Sequence, residues 1–134
     1  MVMADFTREE ILAKAAAGES LEWADLSGAD LFNTDLSRAD LREADLCRAR
    51  VVNADLVGTS LIMADLSGAN LSDVEMGRSG QDGRTNLREA DVSGADLSTE
   101  YLWEAILIGV KYNVHTNWPD DFDPVAAGAV LMDD

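Results

Sequence analysis

From Glu19 to Arg78 the chain reads ESLEW, ADLSG, ADLFN, TDLSR, ADLRE, ADLCR, ARVVN, ADLVG, TSLIM, ADLSG, ANLSD, VEMGR. These are twelve five-residue units without a gap. After Ser79–Arg84 the pattern resumes as TNLRE, ADVSG, ADLST, EYLWE, AILIG and ends at Gly109. The third residue of each unit is large and apolar: Leu21, Leu26 and Leu31 begin the series, and Leu97, Leu102 and Leu107 end it. Two residues earlier stands a small residue, usually alanine, as at Ala24, Ala44 and Ala64, with Thr34 and Thr59 as variants.

Neither regular secondary structure uses this spacing. On an α-helix, five residues advance about 500°, so successive leucines land roughly 140° apart and make no stripe. On a flat strand, an odd period sends alternate leucines to opposite faces. Within one unit, however, the small and large residues are two apart and point the same way from an extended segment. The last two residues of the unit must then turn the chain so that the next pair also points inward. A chain that turns the same way every five residues winds into a solenoid, with leucine inside and Asp, Ser, Arg and Gly outside.

These A-D/N-L-x-x units resemble the pentapeptide-repeat family across residues 19–109. The resemblance implies an all-β solenoid, a right-handed four-sided β-helix with four units per coil. Seventeen units then make about four coils, each rising by about 4.8 Å, a prism roughly 20 Å tall. The C-terminal stretch, with Trp118-Pro119 and Phe122-Asp123-Pro124, resembles the tail of a bacterial, notably cyanobacterial, subgroup of that family.

Asp and Asn after the small residue are expected to cap turns, bonding backbone N–H groups two residues on. Counting by twenty stacks Asp25, Asp45 and Asp65 on one face, joined by Asp91 if Ser79–Arg84 is a loop excursion. Asp35, Asp55 and Glu75 make a second column, and Asp30, Arg50 and Asn70 a third, interrupted by its arginine. Arg38, Arg42, Arg48 and Arg50 fall in the second coil, where they are expected to neutralise neighbouring carboxylates. The insert Ser79-Gly80-Gln81-Asp82-Gly83-Arg84 has no residue fit for the interior and reads as a turn-containing loop.

Open coil ends expose strand edges and leucine, so both need covers. Residues 1–18 are expected to supply the first as a helix of about Arg8–Ala17. Thr7-Arg8-Glu9-Glu10 is a capping box, Phe6 and Ile11 are placed as a hydrophobic staple, and Gly18 stops the helix. Residues 110–134 hold the only prolines, plus Tyr112, Trp118 and Phe122, and are expected to fold back over the last coil or one side. A short helix near Pro124–Gly128, capped by Asp123, is expected within them. The outward positions Phe32, Val52 and Val57 are apolar, as are Ile62, Met63 and Trp103. Together with Asp25, Asp45, Asp65 and Asp91, the first three form the candidate interaction surface, covered by the tail or by a partner.

The chain is 134 residues long, one domain's worth. Asp+Glu 26 against Lys+Arg 10 gives a formal net charge of −16. That balance argues against direct nucleic-acid binding and against an anionic membrane surface. No apolar run approaches a membrane span, and no signal-peptide pattern opens the sequence, so the expected location is the cytoplasm. One cysteine, Cys47, excludes an internal disulfide and any cysteine-based zinc cluster. His115, the only histidine, lies outside the repeats with no nucleophile fixed near it. The carboxylates repeat uniformly, whereas an acid/base pair needs two in contrasting environments. No catalytic residue, cofactor or metal site is therefore expected. The expected function is a non-catalytic structural or protein-interaction module with an unknown protein partner, a monomer with a homodimer as the alternative. The family resemblance adds a second reading, a DNA mimic that modulates type II topoisomerase (DNA gyrase), against which the rod's shortness and its interspersed arginines count.

Overall fold

A computed structural model describes residues 6–77 and 83–132. Its framework is a set of parallel bridges between residues twenty apart. One ladder runs Asp25–Asp45–Asp65–Asp91–Lys111, and the next runs Asp30–Arg50–Asn70–Asp96–Asn117. A third joins Asp35, Asp55 and Glu75, and a fourth joins Asp40, Ser60, Asn86 and Ile106. Four ladders visited in rotation make a four-sided coil. Each coil is bonded to the next through its backbone: Leu26 N–H donates to the Asp45 carbonyl at 2.7 Å, and Asp45 N–H donates back to that of Ala24 at 2.9 Å.

The turn between sides has one prevailing form. Ala24 N–H donates to the Leu21 carbonyl at 3.1 Å, closing a four-residue turn, and the bond recurs from Ala44 to Leu41 and from Ala64 to Leu61. The third residue of these turns takes a positive φ, as at Trp23 (62°), Arg48 (60°) and Glu89 (58°), while the second does not; the turn at Leu102–Glu104 is instead a single 3-10 turn. A positive φ at the third position alone is the mark of a type II turn. Glycine holds that position at Gly28, Gly68 and Gly109, where it relieves the crowding that a Cβ brings. Because turns consume two residues in five, each side keeps one bridging residue. The sides therefore register as isolated bridges, and the strands among the described residues are β1, Lys111–Tyr112, and β2, Val130–Leu131, paired in parallel.

The interior is the aliphatic column anticipated from the spacing: Leu26, Leu31, Leu66 and Leu71 are fully buried, beside Ala44, Ala64 and Ala90. Where threonine replaces alanine, and at Thr99, which turns inward just before Glu100, its hydroxyl is buried too, and it donates to a backbone carbonyl. Thr59 bonds Leu36 at 2.7 Å, Thr85 bonds Leu56 at 2.6 Å, and Thr99 bonds Val74 at 2.7 Å. A buried hydroxyl without such a partner would cost about 1–3 kcal/mol, so these corners accept Thr only because a carbonyl faces them.

Bridge spacing changes twice. It rises from 20 to 26 at Ser60–Asn86, Asp65–Asp91 and Asn70–Asp96, so six residues leave the coil there. The neck of that excursion is closed by Thr85 N–H on the Met76 carbonyl at 2.8 Å, and Asp91 rejoins its column. Most of the loop expected at 79–84 lies outside the described residues. At Asp96–Asn117 the spacing is 21, the extra residue being absorbed in the turn Asn113–Thr116.

Helix α1, Arg8–Ala16, is held at its start by the expected capping box, Thr7 and Glu10 each bonding the other's backbone. Its end is a Schellman motif: Gly18 takes φ 74°, its N–H donates to Ala15, and Glu19 N–H donates to Lys14. Ile11 is fully buried within the core, and Phe6, Leu12 and Ala15 pack against it. Among the described residues, no helix is long and apolar enough to cross a membrane.

At the other end, β2 adds a rung above β1, with Val130 N–H on the Val110 carbonyl at 2.7 Å and Met132 N–H on Tyr112 at 2.8 Å. Trp118 stacks on Phe122 (centroids 5.4 Å apart) and meets Tyr112 edge-on at 5.2 Å. Tail contacts thus run to the last coil. Residues 124–128 form turns and not the expected helix. Asp123 does cap Ala126 N–H at 3.1 Å and Pro124 follows it, but Gly128, at φ 98°, ends the turn before a second can form.

Candidate functional site

Carboxylates on the outer faces are committed first to the backbone. In Asp25, Asp35 and Asp65 one oxygen accepts both the N–H and the hydroxyl of the serine two residues on, the hydroxyl at 2.6 Å each time. Asp45 and Asp91 accept the N–H of Cys47 and Ser93. The Ser27 and Ser37 bonds hold Asp25 and Asp35 below the usual carboxylate range, the hydroxyl contributing more than the N–H. Burial raises Asp96, but the bonds from Ser98 and the Asn117 amide outweigh it.

Arginines of the second coil divide into two sets. Arg42 grips Asp40 through two 2.8 Å bonds and lies 3.5 Å from Glu22, which drives the Asp40 carboxyl far down. Arg50 bonds Asp30 at 3.1 Å and lies over the Phe32 ring, 4.4 Å from its centroid. Arg38 and Arg48 form no ion pair among the described residues. Their stems pack instead on the glycine of the next coil, Gly58 and Gly68. Neutralisation by arginine is therefore the work of Arg42 and Arg50.

The seven surface residues singled out from the sequence do not share one face. Asp25, Asp45, Asp65 and Asp91 form one unbroken ladder, continued by Lys111. Phe32 and Val52 stack on the corner between the second and third ladders, where Phe32 is 38% exposed and its carbonyl accepts from Arg8 at 2.8 Å. Val57 belongs to the following corner and is half-buried against Gly83.

The larger exposed apolar area lies at the C-terminal end. Trp103, Ile108, Val125 and Val130 are each about half exposed or more. There an open groove of about 370 Å3 is lined by Arg84, Arg88, Trp103, Ile106, Ile108 and Phe122, among others. Counting by twenty would have revealed part of it, since Ile108 stands one coil above Arg88. The rest depends on Phe122, which reaches the groove through the fold of the tail and meets Trp103 edge-on at 5.1 Å. Among the described residues, no group of three or more His, Cys, Asp or Glu side chains is placed to hold a metal ion. Cys47 is half-buried with the Ser67 hydroxyl on its sulfur at 3.6 Å, and His115 lies on the exposed Asn113–Thr116 turn.

Comparison with known proteins agrees with this geometry. The family model for pentapeptide repeats matches residues 24–61 and 34–73. A crystal structure of a pentapeptide repeat protein (Rfr23) from the cyanobacterium Cyanothece 51142 is 35% identical, with a TM-score of 0.64 over 72% of this chain. The present chain spans 61% of that protein's length. A second, alr5209 from Nostoc Pcc 7120, is 33% identical with a TM-score of 0.52, covering 94% of this chain and 96% of the other. No curated protein matches the chain. The chain belongs to the pentapeptide-repeat family, whose fold is the right-handed quadrilateral β-helix.

Proposed function

We propose that this protein is a non-catalytic interaction module, a rigid prism of about four coils that presents fixed columns of side chains to a protein partner. The observation that carries this reading is the division of labour within each unit. Inward positions hold aliphatic residues, alanine and carbonyl-bonded threonine, while the chemically reactive side chains point outward in ladders whose spacing the backbone bonds set. Such a surface is organised before any partner arrives, so binding loses little conformational entropy. Helix α1 serves as the N-terminal cap, through Ile11 and through Arg8 donating to the Asp30 and Phe32 carbonyls at 2.9 and 2.8 Å. Residues 110–132 serve as the C-terminal cap, through Trp118, Phe122 and β2. The tail's Trp-Pro and Phe-Asp-Pro pattern supports placement in the cyanobacterial-like subgroup.

Net charge supports a protein partner in the cytoplasm in preference to nucleic acid or membrane. The family resemblance and the acidic columns favour a DNA mimic of gyrase as the alternative, but the arginine in the Asp30–Arg50–Asn70 ladder and the Asp40–Arg42 pair break the acidic face that a DNA mimic requires. The test is capture from a lysate of the source organism on immobilised chain, with an unfolded Leu66→Asp chain as control. A protein retained by the folded chain alone supports the module. Equal retention on both, or turnover of a small substrate by the purified chain, refutes it.

A further inference from the structure

We propose that the groove between Trp103 and Phe122 docks an acidic peptide segment of the partner, one that carries an aromatic or aliphatic side chain beside its carboxylates. This rests on the interaction-module reading and deepens it by naming the site and the chemistry it selects.

Local charge is the first observation. The chain carries Asp+Glu 26 against Lys+Arg 10, yet among the described residues the groove is lined by two arginines and by no carboxylate. A second depression of about 410 Å3 shares Arg84 and Ile106 with it, extends toward Gly58 and Ser60, and likewise has no carboxylate among the described residues. The side chains that line these two depressions are thus basic and apolar, although the chain as a whole is acidic.

The state of the arginines is the second. Arg8, Arg42 and Arg50 each lie within 4.0 Å of a carboxylate. Arg84 and Arg88, like Arg38 and Arg48, form no such pair among the described residues, and both are exposed; Arg38, by contrast, shares its depression with Asp35. Arg84 is nonetheless fixed: its Nε donates to the Glu104 carbonyl at 2.7 Å and one Nη to Ala105 at 3.2 Å. That leaves further N–H groups at the rim, already oriented for a carboxylate.

The walls are the third. Trp103 and Ile108 are 54% and 58% exposed, large apolar side chains that water covers poorly, and Trp103 is held by its edge-on contact with Phe122. Aromatic and arginine side chains in one depression are what interface hot spots are made of. The groove is open along its length, which suits an extended segment better than an enclosed small molecule. The acidic columns elsewhere on the prism repel an acidic segment, so charge favours its docking at this groove over those faces.

The test is selection of a displayed random-peptide library on the immobilised full chain, followed by calorimetry with the enriched peptides made synthetically. Enriched sequences should pair Asp or Glu with Trp, Phe or Leu, and added salt should weaken them. Arg88→Glu, at an exposed position whose side chain makes no hydrogen bond or ion pair among the described residues, should reduce affinity about tenfold or more while leaving the melting curve unchanged. Trp103→Ala should weaken the same peptides. Absence of enrichment, or enrichment of basic peptides, overturns the proposal. Peptides that bind the folded chain but are indifferent to Arg88→Glu overturn the groove and leave the module reading standing, since that reading has its own lysate test. A dimer in sedimentation that Arg88→Glu dissociates makes a second copy the occupant and overturns it as well.

Discussion

Glycine at the third turn position offers the sharpest test of the turn geometry, because the same backbone conformation occurs with and without neighbours. Gly28 has φ 68°, and a Cβ built there meets nothing within 4 Å. Gly28→Ala therefore isolates the backbone term. The left-handed conformation costs an L-residue about 1–2 kcal/mol, and alanine returns about 0.4–1 kcal/mol by stiffening the unfolded chain. The net expectation is a loss of about 0.5–1 kcal/mol. Gly109 has the same conformation (φ 77°), but its Cβ would lie 3.0 Å from the Glu89 Cγ one coil below. Gly109→Ala should therefore cost more, by about 0.5–1 kcal/mol for the displaced side chain. Glu89 is itself at φ 58° and exposed, so Glu89→Gly should be neutral to mildly stabilising. In that background Gly109→Ala should fall to the cost seen at Gly28. Urea unfolding followed by circular dichroism, on the four chains of the double-mutant cycle plus Gly28→Ala, reads all the terms. A stabilised Gly28→Ala would refute the positive-φ turn. An identical cost for Gly109→Ala with and without Glu89 would refute the coil-to-coil contact.

Three further outcomes are expected. Leu66→Ala should lose about 2–5 kcal/mol in the same urea titration, whereas Leu66→Asp should give no cooperative transition, since an unpaired charge would enter the aliphatic column. Thr59→Val keeps the shape but removes the donor to the Leu36 carbonyl, so it should cost about 1 kcal/mol, and Thr59→Ser should recover part of it. Asp25, Asp35 and Asp40 are held below the ordinary carboxylate range by Ser27, Ser37 and Arg42, so the unfolded chain binds more protons in acid. Their contribution is complete above the unfolded carboxylate range and is lost as pH falls through the lowered values. Urea midpoints should accordingly decline below about pH 4, less steeply in Asp40→Asn.

Much of the architecture was legible because the period of five admits one solution. Leu26, Leu46 and Leu66 share an interior only if the chain bends between them, and counting by twenty places Asp45 above Asp25 and Val52 above Phe32. Asp91 rejoins that column only if the inserted residues leave the coil together, as the 26-residue spacing shows. The capping box at Thr7 and Glu10 was equally plain, being a contact within one helical turn. The grouping of Asp25, Asp45, Asp65 and Asp91 with Phe32, Val52 and Val57 was not, because a side-by-side reading of columns ignores the corners between them.

Sequence alone thus determined the winding, the inward residues and the vertical neighbours, since each follows from the repeat length and the steric needs of a narrow interior. Only the tertiary structure decided where the tail lies. Phe122 against Trp103, and β2 above β1, are contacts between residues with no shared period, fixed by which apolar surfaces the last coil left uncovered. The same holds for charge. Which arginines meet carboxylates, as Arg42 and Arg50 do, and which line the groove, as Arg84 and Arg88 do, depends on side-chain reach across corners, a distance that no spacing along the chain encodes.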